Sequence, residues 1–268
     1  KTMERVQTAI DKARKARQNQ GADMPPPKPE VAPNSAPKET YVLATPEVSK
    51  PDRDSARSSL KSFDPKSAHL EKKRIVAYQT GPDAVPYDVL RTRLLHQMRA
   101  NNWKRVAITS PNAGAGKSMT CVNLAFSLAR QPDQRTMLVE LDMRRPSVAQ
   151  LLGITGPQQF SSVLSGKEPA ENHILRYGKN LAFAVNQTTA RNPAELLQGA
   201  SAQQALDDIE TRYQPDIMIC DMPPIFASDD TMAFLDQVDC ALLIGEAEKT
   251  TIEEIDKCEQ ELAARTNV

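Results

Sequence analysis

The sequence carries no net charge, with 34 basic against 34 acidic side chains. A chain built around nucleic acid needs a basic surface, so no nucleic-acid partner is expected. No apolar run approaches the ~20 residues that a membrane-spanning helix requires. No secretory leader is legible either. Cysteine is scarce: Cys121, Cys220, Cys240 and Cys258 form no CxxC pair. They read as reduced, buried thiols. No internal repeat and no NKxD-type guanine motif is present. The chain begins at Lys1 rather than Met, so its natural start is expected upstream.

What is present is unevenly spread. Residues 1–74 are poor in apolar side chains, and nearly all periodic apolar segments lie in 75–268. The first 20 residues read as a basic amphipathic helix, with Val6, Ala9, Ile10 and Ala13 at helical spacing. Lys12, Arg14, Lys15 and Arg17 favour its own macrodipole if the helix is merely solvated. They would equally suit docking to a membrane surface or a partner, and the small alanine-rich face favours a partner. Residues 21–69 are proline-rich, from Pro25 to Pro65, and read as a disordered or partly extended linker. Residues 70–268 read as the folded domain, with the C-terminus expected to be truncated.

Within that domain strands and helices alternate. Ile75–Ala77 is a short apolar run, and Pro86–Arg99 is a predicted helix. Strands are predicted at Arg105–Thr109, Thr136–Leu141, Leu181–Val185, Asp216–Cys220 and Cys240–Gly245. Helices are predicted at 117–129, 148–152, 160–164, 202–212, 230–236 and 251–264. Such alternation builds an α/β fold, a mostly parallel sheet flanked by helices.

The strongest motif is Pro111-Asn112-Ala113-Gly114-Ala115-Gly116-Lys117-Ser118, set between a strand and a helix. Gly114 and Gly116 let the backbone turn its N–H groups toward phosphate oxygens. Lys117 can reach the β- and γ-phosphates, and the Ser118 hydroxyl can ligate Mg²⁺. Met119 follows in the first helical turn, whose positive end points at the phosphates. Pro111 replaces the first glycine of the usual pattern. Two apolar strands then end in acids, 137–142 in Glu140 and Asp142 and 217–221 in Asp221. A parallel sheet brings both ends to the edge that carries the glycine loop. Mg²⁺ needs only one or two carboxylates, because it keeps several waters. With no guanine motif, ATP is the expected nucleotide.

At these three segments the chain resembles the bacterial tyrosine kinases of polysaccharide synthesis and export, most nearly the exosortase-associated autokinases. They form a branch of the MinD- and ParA-like P-loop ATPases. Walker A falls on Pro111–Ser118, the Walker A′ pattern D-x-D-x-R on Glu140–Arg144 and the Walker B pattern D-x-P-P on Asp221–Pro224. Likeness continues through Arg145-Pro146-Ser147, Asn192–Leu197 and Ser228-Asp229-Asp230, and covers roughly residues 70–268.

The resemblance implies an ATP-dependent tyrosine autokinase that regulates exopolysaccharide assembly. Lys117 and Ser118 would hold phosphate and metal, Asp142 and Asp221 would order Mg²⁺, and Arg144 would face the nucleotide. Glu140 stands where the family has an aspartate, as a candidate base for the attacking tyrosine. The implied partner is a membrane-bound chain-length determinant, which would recruit a cytoplasmic kinase to the inner face of the plasma membrane. Self-association is also implied. The family's ring motif E-x-x-R-x-x-R maps to Val85, Asp88 and Arg91, so two of its three residues are lost. The five tyrosines present, Tyr41, Tyr78, Tyr87, Tyr177 and Tyr213, form no terminal cluster of the kind the family's autokinases carry. These departures keep open a MinD-like regulatory ATPase without tyrosine kinase activity.

Overall fold

The computed structural model describes residues 53–268. The expected helix at 1–20 and the linker as far as residue 52 lie outside the described residues. In chain order the elements are α1 (Arg53–Ser58), β1 (Lys61–Ser62), α2 (Ser67–Lys72), α3 (Val85–Asn101), β2 (Arg105–Thr109), α4 (Lys117–Ala129) and β3 (Thr136–Glu140). Next come α5 (Val148–Leu152), α6 (Phe160–Leu164), β4 (Ile174–Tyr177), β5 (Leu181–Ala184), α7 (Pro193–Gln198), α8 (Ala200–Tyr213), β6 (Ile217–Asp221), α9 (Asp230–Phe234), β7 (Cys240–Leu243) and α10 (Ile252–Ala263).

The strands form one seven-stranded sheet in the order β1-β4-β5-β3-β6-β2-β7. All neighbours are parallel except β4 and β5. The three central strands β3, β6 and β2 are buried on both faces, which their unbroken apolar runs demand. One face packs on α3, α4 and α5 through Leu95, Met98, Leu124, Leu128 and Leu152. The other packs on α6, α8 and α10 through Phe160, Leu206, Ile209 and Leu262. Register fixes the functional edge: Ile108 of β2 and Glu140 of β3 both pair with Asp221 of β6.

The four cysteines are free and buried. Ile75–Ala77 is not a strand; it is an irregular segment laid against α4. The buried Asn123 side-chain oxygen accepts from the N–H groups of Val76 and Ala77. Its amide nitrogen donates to the carbonyls of Arg74 and Met119. The segment's backbone is thereby satisfied without a sheet partner.

Five elements were not expected. Residues 53–69, read as linker, carry α1, β1 and the start of α2, because single side chains suffice to anchor them. Leu60 and Leu70 enter the core, and the buried Arg57 donates from Nη2 to the Thr136 carbonyl at 3.1 Å. Strand β4 is also new, and it doubles back into β5 across Gly178, whose φ is +57°. Helix α7 is new as well; Pro193 opens it at a position where its missing N–H is not needed.

Candidate functional site

The glycine loop joins β2 to α4 at the carboxyl edge of the sheet. Gly114 and Gly116 hold φ values of +92° and +83°, a region that L side chains rarely adopt. Lys117 opens α4 and is almost fully buried. The Ser110 hydroxyl donates to the Asn112 carbonyl at 2.7 Å, and Asn112 donates to Glu254 of α10 at 2.7 Å. Glu254 also closes a capping box with Thr251, so one carboxylate ties the loop to the start of α10. The carbonyls of Ser110 and Pro111 accept from the N–H groups of Ile225 and Phe226, at 2.9 and 3.1 Å. The pairing at residue 111 uses only a carbonyl, which proline keeps.

The acids arrive from the two neighbouring strands. Asp142 Oδ2 lies 3.9 Å from Lys117 Nζ, and its Oδ1 accepts from the Arg145 N–H at 3.1 Å. Burial raises Asp142 above the usual carboxylate range, with Lys117 pulling back. Asp221 is completely buried, and burial pushes it up to about 6 against the pull of Ser118 and Lys117. Its Oδ1 accepts from the Cys121 thiol at 3.6 Å, while Oδ2 has no hydrogen-bond partner. The Asp221 carbonyl takes the N–H groups of Leu141 and Asp142, both at 2.9 Å, which fixes the two acidic strand ends to each other. The Pro223 carbonyl receives the hydroxyls of Thr109 and Thr231, at 2.8 and 2.7 Å. The chain just after Asp221 is therefore tied to the base of the glycine loop.

Glu140 departs from expectation. Its carboxylate does not stand free to take a proton from a substrate. Oε1 accepts from the N–H groups of Ser147 and Val148 at 2.6 and 2.7 Å, and Oε2 from the Asn186 N–H at 2.8 Å. Burial raises Glu140 to about 8, opposed by these backbone bonds. The extra methylene relative to aspartate is what carries the carboxylate this far from β3 toward the start of α5.

Lys117, Ser118, Asp142 and Asp221 are thus gathered at one edge, framed by the backbone of residues 111–116. Met119 lies in the first turn of α4, with its side-chain end against Gly116. Arg144 is held nearby by Asp230 through two hydrogen bonds. Sequence reasoning missed Asp230, Glu254 and Cys121 as parts of the site. Asp230 lay within a segment of likeness, yet no spacing rule joins it to Arg144. Asn112 and Glu254 are 142 positions apart, beyond any local pattern.

The residues fit a magnesium ion. One hydroxyl and two carboxylates make a hard-oxygen donor set, and the unpartnered, buried Asp221 Oδ2 is an oxygen in want of a cation. Among the described residues no three His, Cys, Asp or Glu side chains form a fuller cage.

A family model described as ParA, a NUBPL iron-transfer P-loop NTPase, matches residues 102–267. The tyrosine-protein kinase YwqD of Bacillus subtilis is 30% identical over 178 residues, 66% of this chain and 74% of that protein. The putative tyrosine-protein kinase AmsA of Erwinia amylovora is 28% identical over 168 residues, 62% of this chain. The match covers only 23% of AmsA, so the chain spans about a quarter of that relative's length. The solved kinase domain of the Escherichia coli tyrosine kinase ETK superposes with a TM-score of 0.61 at 26% identity, covering 67% of this chain and 69% of that one. Among the described residues no helix is long and apolar enough to cross a membrane.

Proposed function

The chain belongs to the ParA-type P-loop NTPases and, within them, to the bacterial tyrosine-protein kinase family, and from that premise we propose that it is an ATP-dependent protein-tyrosine kinase. The observation that carries the reading is convergence. Lys117, Asp142 and Asp221 come from three separate segments and meet at one sheet edge, with Lys117 and Asp142 3.9 Å apart. Phosphoryl transfer needs little covalent help from the protein, so positioning and charge neutralisation account for most of the catalysis.

In this reading the backbone N–H groups of the glycine loop cradle the phosphates of ATP, and Lys117 neutralises them. Ser118, Asp142 and Asp221 would hold Mg²⁺, which when bound supplies further charge neutralisation. Asp142 is the acid left to take the proton of an incoming tyrosine hydroxyl, at Oδ2, because the Glu140 oxygens are engaged elsewhere. Arg144 uses Nε and Nη2 on Asp230, which leaves Nη1 for the phosphoryl group.

The family resemblance extends the proposal to exopolysaccharide synthesis and export. The activator would be a separate membrane-bound chain-length determinant, and the kinase would work at the cytoplasmic face of the plasma membrane. Self-association is part of the same reading; nucleic acid is not. The engaged Glu140 favours a second reading, a MinD-like ATPase that cycles between partners without phosphorylating tyrosine.

Incubation with Mg-ATP and phosphosite mapping, with Lys117→Met as control, separates the two. Alone, the chain is expected to hydrolyse ATP slowly and to label itself little, and Tyr213, which is completely buried, should stay unmodified. With the membrane partner supplied, phosphotyrosine dependent on Lys117 is expected. Hydrolysis with no phosphotyrosine on either protein would establish the regulatory ATPase instead.

A further inference from the structure

Glu140 sits at the end of β3, where the family resemblance calls for a catalytic aspartate. Its surroundings describe a different task. Beyond its three backbone N–H bonds, Asn186 returns the contact, donating from Nδ2 to the Glu140 carbonyl at 3.1 Å. The Asn186 side-chain oxygen accepts from the Ser161 N–H at 2.9 Å, at the start of α6. Both Glu140 and Asn186 are inaccessible to solvent. One buried pair therefore joins the end of β3, the start of α5, the chain after β5 and the start of α6.

The bonds to Ser147 and Val148 have a specific geometric effect. They bring the chain back to Glu140 after seven and eight residues, so residues 141–147 form a hoop closed by one carboxylate. That hoop carries Asp142 and Arg144. A second tie holds it from outside, where the Ala190 N–H donates to the Met143 carbonyl at 3.0 Å. An aspartate at 140 would end roughly 1.5 Å short, one C–C bond length. Hydrogen bonds of 2.6–2.8 Å would then open beyond useful distance.

We propose that Glu140 is the positioning residue of this hoop, setting Asp142 and Arg144 against the phosphate loop, and that it takes no proton from substrate. The assignment rests on the phosphate-site reading only for what the hoop presents; the closure itself is independent of it. The longer acid, a departure from the family pattern, is matched to the distance it spans. A base at this position should tolerate aspartate and fail with glutamine. A strut should do the reverse, because glutamine keeps the oxygen that closes the hoop on Ser147 and Val148.

The test compares Glu140→Asp and Glu140→Gln by amide hydrogen exchange, Mg-ATP affinity and turnover. Expected for Glu140→Asp is a tenfold or greater loss of protection at the Ser147, Val148 and Asn186 amides, with weaker nucleotide affinity and at least tenfold lower turnover. Glu140→Gln should keep protection at Ser147 and Val148, lose it at Asn186, and retain more turnover than Glu140→Asp. Turnover in Glu140→Asp at or above that of the parent, with protection unchanged, would overturn the proposal. So would turnover in Glu140→Gln below that of Glu140→Asp while the Ser147 and Val148 amides stay protected. If Glu140→Asp fails to fold, the Glu140→Gln arm decides alone. Hydrogen exchange and binding need no tyrosine transfer, so failure of the kinase reading would be seen separately.

Discussion

Arg144 and Asp230 meet through two parallel hydrogen bonds, Nε to Oδ2 at 2.8 Å and Nη2 to Oδ1 at 2.9 Å, across 86 positions of sequence. Asp230 is completely buried at the start of α9, and the Arg144 side chain is 48% exposed. A buried carboxylate held by a bidentate guanidinium fixes the orientation of that guanidinium. The pair also links the A′ segment to the loop that follows Asp221, which Thr231 ties to Pro223.

Asp230→Asn should therefore act through Arg144. Asparagine keeps the shape but loses the charge and one acceptor. We expect about a tenfold fall in turnover, corresponding to roughly 1.4 kcal/mol, with little change in ATP affinity. In an Arg144→Ala background the same substitution should add almost nothing. Steady-state kinetics of the four proteins checks this; equal losses in both backgrounds would mean that Asp230 acts independently of Arg144.

Asp221→Asn should separate metal use from stability. The buried carboxylate has one oxygen without a partner, and burial already disfavours its charge. Removing that charge should leave the melting temperature unchanged or slightly higher above pH 6. The Mg²⁺ concentration for half-maximal turnover should rise tenfold or more. A titration of turnover against Mg²⁺, run beside thermal melts, decides it. A mutant that unfolds while its metal dependence stays normal would show the acid to be structural.

The architecture was largely legible because the central strands advertise themselves. Apolar runs such as 137–139 and 217–220 need burial on both faces, and the glycine loop marks which edge is functional. The approach of Asp142 to Lys117 follows from that topology. The weaker elements did not show. Strand β4 depends on its pairing with β5 rather than on a strong pattern of its own, and β1 is two residues held by β4. Glu140 was legible as an acid at a strand end, but not as a strut. The amides it meets lie seven, eight and 46 positions away, so only the folded chain defines its partners.

Asp88 illustrates the same point at the expected ring interface. Its Oδ1 accepts from Arg91 at 3.2 Å, from the Ser127 hydroxyl at 2.5 Å and from Arg130, all within the chain. Burial pushes the carboxyl up, yet Ser127 and Arg130 outweigh it and hold it below the usual range. Asp88 and Arg91 are thus committed to joining α3 to α4. We expect Asp88→Ala to cost about 1–2 kcal/mol by denaturant unfolding. The parent should run as a monomer or dimer in light scattering; a stable octamer would require a different interface.

Stability should fall as pH rises from about 6 to 8.5. Glu140 is raised from an ordinary value of 4.5 to about 8, and Asp221 from 3.8 to about 6. Both are acids whose folded values exceed their unfolded ones, so the native state binds more protons than the unfolded chain. Stability therefore decreases with pH wherever the unfolded group is ionised and the native group is not. For Asp221 that window runs from about 4 to 6, and for Glu140 from about 4.5 to 8. Asp88 works in the opposite sense, but its contribution is complete above its unfolded value of 3.8 and constant from pH 6 upward. Above pH 6 the Glu140 slope, on the order of 1.4 kcal/mol per pH unit at most, is joined in the same direction by Asp142 and the buried cysteines, which burial also raises. Melts of the nucleotide-free chain across this range should show the decline, and Glu140→Gln, which has no proton to lose, should make it shallower. A parent whose melting temperature is level from pH 6 to 8.5 would mean that the three amide bonds stabilise the carboxylate enough to cancel its burial.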